Sequence, residues 1–294
     1  MGFRTIVIDS HSKLEYSLNF LIFKTAETTK RILLDEINNI VITSTAVAIT
    51  TSLLSELSKR KINVIFCDEK RNPISELVPI YDNYNSYKKI TEQIKWDGDS
   101  CNNVWARIVK QKILNQANSL YKRNKVDVAN QLVKYANEVE LGDITNREGH
   151  AAKVYFNNIY HQGFCRNDDS IINAYLNYGY SLILSLITRT IVSYGYLTQL
   201  GIHHRGETNP FNLSSDIIES FRFLVDDKVF ELDQNDFNFK DKMIDLLNIN
   251  VFIDGKQQSL FNAVSIHFLS VVDAIRNNNP EKIKFISSIE HEIG

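Results

Sequence analysis

At 294 residues the chain has the length of one large domain or two ordinary ones, enough to bury a core without a disulfide or metal staple. Its 44% hydrophobic and 23% charged residues, with 11 glycines and 4 prolines, exclude collagenous, low-complexity and largely disordered chains. Lys and Arg number 33 against 35 Asp and Glu, so with a net charge of -2 any pull toward nucleic acid or anionic membrane must come from a local patch.

Short runs rich in Ile, Val, Phe, Thr and Tyr recur at the start of the chain, and residues 3–8, 14–18, 19–23, 31–34 and 37–43 are strand candidates. Ser44 is the expected cap of a helix in which Val47, Ala48, Leu53, Leu54 and Leu57 recur at helical spacing up to the basic stop Lys59-Arg60-Lys61. Residues 62–67 then read as a buried strand. Pro73 and Pro79 fall in an irregular stretch, and the polar aromatic run at 81–87 has no periodicity, which places a boundary near 82–97.

Beyond it, residues 104–120, 126–138, 147–164, 170–200, 213–225, 259–277 and 280–289 show helical apolar recurrence. The prediction is an α+β chain: a β-rich domain over 1–88, a linker over 89–98 and a helical domain over 99–294. Residues 171–200 approach a membrane span in length but carry Asn173, Asn177, Thr188 and Arg189, so they read as a buried helix of a soluble protein. Cys67, Cys101 and Cys165 are scattered, without a Cys-x-x-Cys pair, which fits a reducing cytoplasm. No export or lipidation signal is read at the start, where Ile6 stands in place of the Ser or Thr of a myristoylation motif.

Between Ser100 and Val126 there is no acidic residue, yet Arg107, Lys110, Lys112, Lys122, Arg123 and Lys125 occur, a candidate phosphate-binding surface or else two solvated helix faces. Thr145 and Glu148 then have capping-box spacing at a helix start. Gly149 is a costly choice inside that helix, which suggests a close backbone approach to a ligand.

The densest polar cluster is Gly201-Ile202-His203-His204-Arg205-Gly206-Glu207, followed by Asn209-Pro210-Phe211-Asn212-Leu213 and Asp216-Ile217-Ile218-Glu219. Asn212 or Ser214 is the expected cap of an acidic helix carrying Asp216, Glu219 and Arg222 on one face. Asp216 reads as an acid favoured by the positive helix N-terminus, and Glu219 as a partner of Arg222 or a metal ligand. Carboxylates with one imidazole suit Mg²⁺ or Mn²⁺, ions that polarise a phosphodiester. Zinc-type His-x-x-x-His spacing, Gly-x-Ser-x-Gly, Walker loops and dinucleotide fingerprints are absent.

The histidine cluster and acidic helix, with Arg147-Glu148-Gly149-His150-Ala151-Ala152 upstream, closely resemble the CRISPR-associated spacer-acquisition endonuclease and integrase family, the first-numbered Cas protein, in its type II form. The resemblance spans the chain and implies a divalent ion, Mg²⁺ or Mn²⁺, held by Glu148, His204 and Glu219 as catalytic residues, with His203 as runner-up for the histidine. It implies that the 3′-hydroxyl of a foreign DNA fragment attacks a repeat-boundary phosphodiester of a CRISPR array. Arg205 and the basic stretch 107–125 would then contact double-stranded DNA. The implied partners are a second copy of the chain in a homodimer and the small second Cas protein; type II relatives also work with an RNA-guided effector nuclease and, in some subtypes, a DNA-end-binding accessory protein. A stand-alone branched-DNA nuclease and a non-catalytic DNA-binding scaffold are the alternatives.

Overall fold

The computed structural model describes residues 4–79, 85–233 and 238–287, with strands first and helices after, the α+β organisation expected. Strands β1 (Arg4–Ile8), β2 (Ser12–Ser17), β3 (Phe20–Lys24), β4 (Thr29–Leu33), β5 (Ile37–Ile42) and β6 (Val47–Ile49) precede helix α1 (Thr51–Lys59), which leads to β7 (Asn63–Cys67) and β8 (Pro73–Glu76). They form two four-stranded sheets, in the orders β1-β5-β7-β8 and β4-β3-β2-β6. Strands β2 and β3 form an antiparallel hairpin whose turn residues, Leu18 and Asn19, both have positive φ (46° and 70°), as a type I′ turn requires.

Strands β1, β5 and β7 are parallel, with β5 paired to β1 on one side and to β7 on the other. On β5 and β7, Ile40, Ile42 and Val64 face the core shared with Leu14, Leu21, Leu53 and Leu57, while Val41, Ile65 and Cys67 belong to the core of the helical part. This sheet is therefore covered on both sides, which is why its central strands read as unbroken apolar runs.

Several sequence expectations change here. Val47–Ile49 is a strand pairing in parallel with β2, and Thr50, not Ser44, caps α1 by accepting from Leu53 N at 3.4 Å; the β-branched residues at 47 and 49 obey the period of two. Pro73 opens a short edge strand, where its missing N–H is tolerated. Of the expected linker over 89–98, residues up to 94 belong to a helix, α2 (Ser86–Ile94), and the last is the first residue of α3 (Gly98–Tyr121). Residues 82–84 of the predicted boundary lie outside the described residues.

The remaining helices are α4 (Val126–Asn137), α5 (Arg147–Ile159), α6 (Ile171–Ser193), α7 (Asn212–Ile218), α8 (Arg222–Glu231), α9 (Phe239–Ile244) and α10 (Leu260–Arg276). Helix α6 ends earlier than its apolar pattern because Gly195, at φ 79°, closes a Schellman motif: Gly195 N donates to Val192 O and Tyr196 N to Ile191 O. No described helix is long and apolar enough to cross a membrane. The expected helix over 213–225 is two helices, broken at Glu219–Phe221. The span 280–289 is not a helix: a 3₁₀ turn at Pro280–Lys282 gives way to β11 (Ile286–Ser287), and 288–289 lie outside the described residues. That strand pairs with β9 (Asn250–Ile253), itself in a hairpin with β10 (Lys256–Ser259) across Asp254-Gly255. The sequence reading missed this small sheet, although an Asp-Gly turn marks it.

His267 on α10 is fully buried, and its Nδ1–H donates to Lys284 O at 2.7 Å, tying α10 to the chain before β11. Burial pushes its pKa down to about 4 against the support of that hydrogen bond. The folded protein thus holds fewer protons at this site than the unfolded chain, and stability is lost as pH falls from about 6.5 toward 4, by roughly 2–3 kcal/mol. His267→Asn keeps a donor without titrating, so urea unfolding across this range is expected to show a shallower acid loss than the wild type.

Candidate active site

Three elements, α3, α5 and the α7–α8 break, bring the expected acidic residues together. At the start of α5 the capping box does not form. Asn146 is the cap, accepting from Gly149 N at 3.1 Å, and Asp143 accepts from Arg147 N at 2.8 Å and Glu148 N at 3.0 Å. Glu148 is thereby freed from capping and points at Lys112 on α3, with Nζ 2.5 Å from Oε1. Gly149 serves this cap rather than a ligand: a Cβ there would stand 2.7 Å from Asn146 Oδ1.

Glu219 caps the C-terminal end of α7, 3% exposed. Its Oε1 accepts from Arg222 Nε at 2.8 Å, and its Oε2 is in ion-pair contact with Lys112 Nζ. Lys112 is the partner of Oε2 among the described residues. Burial disfavours the carboxylate, but Arg222 and Lys112 outweigh it and hold the Glu219 pKa down at about 2.

The histidine loop is built around Asp216, which is fully buried. Its carboxylate accepts the backbone N–H groups of Ile202, His203 (3.2 Å) and His204 (3.0 Å), and the His204 Nδ1–H at 2.7 Å. This overturns the reading of Asp216 as a simple helix N-terminal acid: the loop backbone folds onto it. Neither Asn212 nor Ser214 caps α7. Asn212 binds Gln199 O, Gly206 O and Gly206 N, while Ser214 accepts from Thr188. From α2, Gln93 clamps the preceding turn through Leu197 N, Leu197 O and Leu200 O. A Cβ on Gly201 would lie 2.3 Å from His204 O, so the loop admits only glycine there.

The hydrogen bond to Asp216 raises the His204 pKa against desolvation, with further support from the charges of Asp216, Glu219 and Glu148. With Nδ1 committed, His204 Nε2 is free of hydrogen bonds among the described residues on a ring that is 40% exposed. His203 instead stacks flat on Trp105, ring centroids 4.4 Å apart and 3° from parallel. His150 is exposed, two residues beyond Glu148.

The basic stretch is not without counter-charges, as its sequence suggested; they come from elsewhere in the chain. Lys112 meets Glu148 and Glu219, Arg123 meets Asp227 at 2.9 Å, Lys122 lies 3.9 Å from Asp227, and Arg107 lies 3.6 Å from Glu281. Lys125 is exposed and donates to Asn158 O, and Lys110 is half-buried. Arg205 is exposed and lines a cleft of about 710 Å³ with Trp96, Gln199 and Asn209.

The family model described as "CRISPR associated protein Cas1" matches residues 6–248. The chain belongs to the Cas1 family. A CRISPR-associated endonuclease Cas1 from Neisseria meningitidis serogroup C is 31% identical over 291 residues, 97% of this chain and 96% of that protein. Two solved structures share the fold. A casposase bound to integration product is 17% identical with a TM-score of 0.73, over 94% of this chain and 91% of that one. A Cas6-RT-Cas1–Cas2 complex is 18% identical with a TM-score of 0.72, over 99% of this chain and 36% of that one.

Does this Cas1-family site suit a divalent ion? Among the described residues no three His, Cys, Asp or Glu side chains are gathered closely enough to share one as they stand. Glu148 and Glu219 nevertheless already converge on a cation, the Lys112 ammonium, through Glu148 Oε1 and Glu219 Oε2. Two carboxylates and one imidazole nitrogen are donors that Mn²⁺ accepts well and Mg²⁺ tolerates. The residues present fit the ion.

The sequence puts Lys112 on a candidate DNA track, whereas the structure puts it between Glu148 and Glu219. A signal for Lys112 was available, since Trp105, Ile108 and Lys112 follow one another at helical spacing on the face that α3 buries. Asp216→Ala strands three inward-facing N–H groups and is expected to lower the unfolding free energy by about 2–4 kcal/mol in urea titration. A change below about 0.5 kcal/mol would mean that the loop holds itself.

Proposed function

We propose that this Cas1-family chain is a divalent-metal-dependent DNA strand transferase that inserts foreign DNA fragments into a CRISPR array. The observation that carries this reading is the convergence of Glu148 and Glu219 on one cation position, within electrostatic reach of a histidine, His204, whose Nδ1 is held by Asp216. Glu148, Glu219 and His204 hold Mg²⁺ or Mn²⁺. Such an ion, when bound, lowers the pKa of an attacking hydroxyl and neutralises charge growing on the phosphate.

The chain's own residues prepare that position. Arg222 keeps Glu219 anionic despite burial. Asp216 fixes His204 with its proton on Nδ1, leaving Nε2 as the donor nitrogen. Arg205, Lys122 and Lys125 are exposed and contact the DNA backbone, with Lys110 beside them; this positions DNA without reading its sequence. Arg107 and Arg123, held by Glu281 and Asp227, form the edge of that surface.

In the reaction the 3′-oxygen of the fragment forms a new P–O bond, the bond to the repeat strand's 3′-oxygen breaks, and that oxygen takes up a proton. The number of phosphodiesters is conserved, so no nucleotide energy source is needed. Water in place of the hydroxyl gives endonuclease activity, in keeping with the name of the Neisseria relative. A casposase bound to integration product and a Cas6-RT-Cas1–Cas2 complex share this fold, in keeping with DNA integration and a small second Cas protein as partner. On this reading the chain acts as a homodimer in the cytoplasm, and the type II resemblance implies as companions the RNA-guided effector nuclease and, in some subtypes, a DNA-end-binding accessory protein.

The test is rejoining of the repeat strand on a branched DNA that mimics a half-integrated fragment, with Mn²⁺ or with chelator. Glu219→Gln, close in shape but uncharged, is expected to lose at least about 100-fold in rate while binding the branch as the wild type does. If the wild type binds the branch and rejoins nothing with any divalent ion, the protein is a DNA-binding scaffold. Cleavage without rejoining would favour a stand-alone branched-DNA nuclease.

A further inference from the structure

Lys112 lies on the buried face of α3, its side chain 10% exposed, between two carboxylates delivered by other elements. Glu219 is almost wholly buried, and Arg222 occupies only its Oε1. The other oxygen, Oε2, and Glu148 Oε1 both face Lys112 Nζ. Two like charges at such close range in a poorly solvated site require a cation between them. We propose that Lys112 is the resident counter-cation of this site: its ammonium stands where the divalent ion binds, and metal loading displaces it to the open side, past Glu148 and His204. The inference rests on the metal reading above.

The two basic residues differ in ways that fit separate roles. Arg222 is one turn from Glu219, its planar fork is anchored at Oε1, and its guanidinium lies 4.6 Å from the centre of the Tyr180 ring. It is built to stay. Lys112 reaches in from a different helix on a flexible four-carbon stem, and its compact ammonium makes contacts that a small cation reproduces. The site is open to solvent away from Glu219: side-chain exposure is 3% at Glu219, 26% at Glu148 and 40% at His204. Lys112 is thus a positioning residue: it gathers the ligands before the ion arrives and competes with it for them.

Competition has a signature that a purely structural role lacks. A site occupied most of the time by its own lysine binds metal more weakly by the fraction occupied, so Lys112→Met is expected to bind Mn²⁺ about 10-fold more tightly than the wild type. Calorimetric titration of the full chain measures this. Equal or weaker binding by Lys112→Met, with the wild type binding, overturns the Lys112 assignment and leaves the metal site standing. Failure of both to bind overturns the metal reading, and the assignment with it.

The variant leaves two carboxylates facing each other, so its melting temperature in chelator is expected to fall and to recover with Mn²⁺. Should it not fold, the wild type gives the answer by itself. With acetic anhydride and peptide mass spectrometry, Lys112 is expected to be acetylated severalfold faster in saturating Mn²⁺ than in chelator. An unchanged or slower rate overturns the proposal.

Discussion

Everything at the candidate site follows from one electrostatic constraint: the carboxylates of Glu148 and Glu219, delivered by different elements, meet at one point and repel each other unless a cation stands between them. Three devices satisfy it. Arg222 neutralises one carboxylate locally, Lys112 bridges both, and the capping of α5 by Asp143 and Asn146 releases Glu148 to take part. With Arg222 and Lys112 in place, the two carboxylates are matched by two positive charges.

The scaffold holds these groups by backbone capture more than by side-chain packing. Asp216 collects the N–H groups of three consecutive loop residues, Gly201 lets His204 O approach its backbone, and Gln93 closes the turn before it. The break between α7 and α8 matters for the same reason. The break places Glu219 at a helix end, buried and in contact with Lys112 of α3.

Much of this was legible in the sequence. The order of strands before helices, the histidine cluster and the identities of the acidic residues all follow from periodicity, composition and motif resemblance. What escaped was whatever depends on contacts between distant segments. Lys112 looks like one more basic residue until α5 and the α7–α8 break bring their carboxylates to it. The basic stretch looks uncompensated because Asp227 and Glu281 lie more than 100 residues away in sequence. The strand at Val47–Ile49 was read as helix because its short alternation sits directly before a true helical pattern, and Glu219 was placed mid-helix because the break leaves the apolar recurrence intact.

Joint binding of one divalent ion by Glu148, Glu219 and His204, as proposed, is tested by pulsed electron paramagnetic resonance of bound Mn²⁺, because a coordinating imidazole nitrogen leaves a distinct coupling. A single imidazole coupling is expected in the wild type, persisting in His203→Gln and disappearing in His204→Gln. Absence of that coupling in the Mn²⁺-bound wild type, or its survival in His204→Gln, would contradict it.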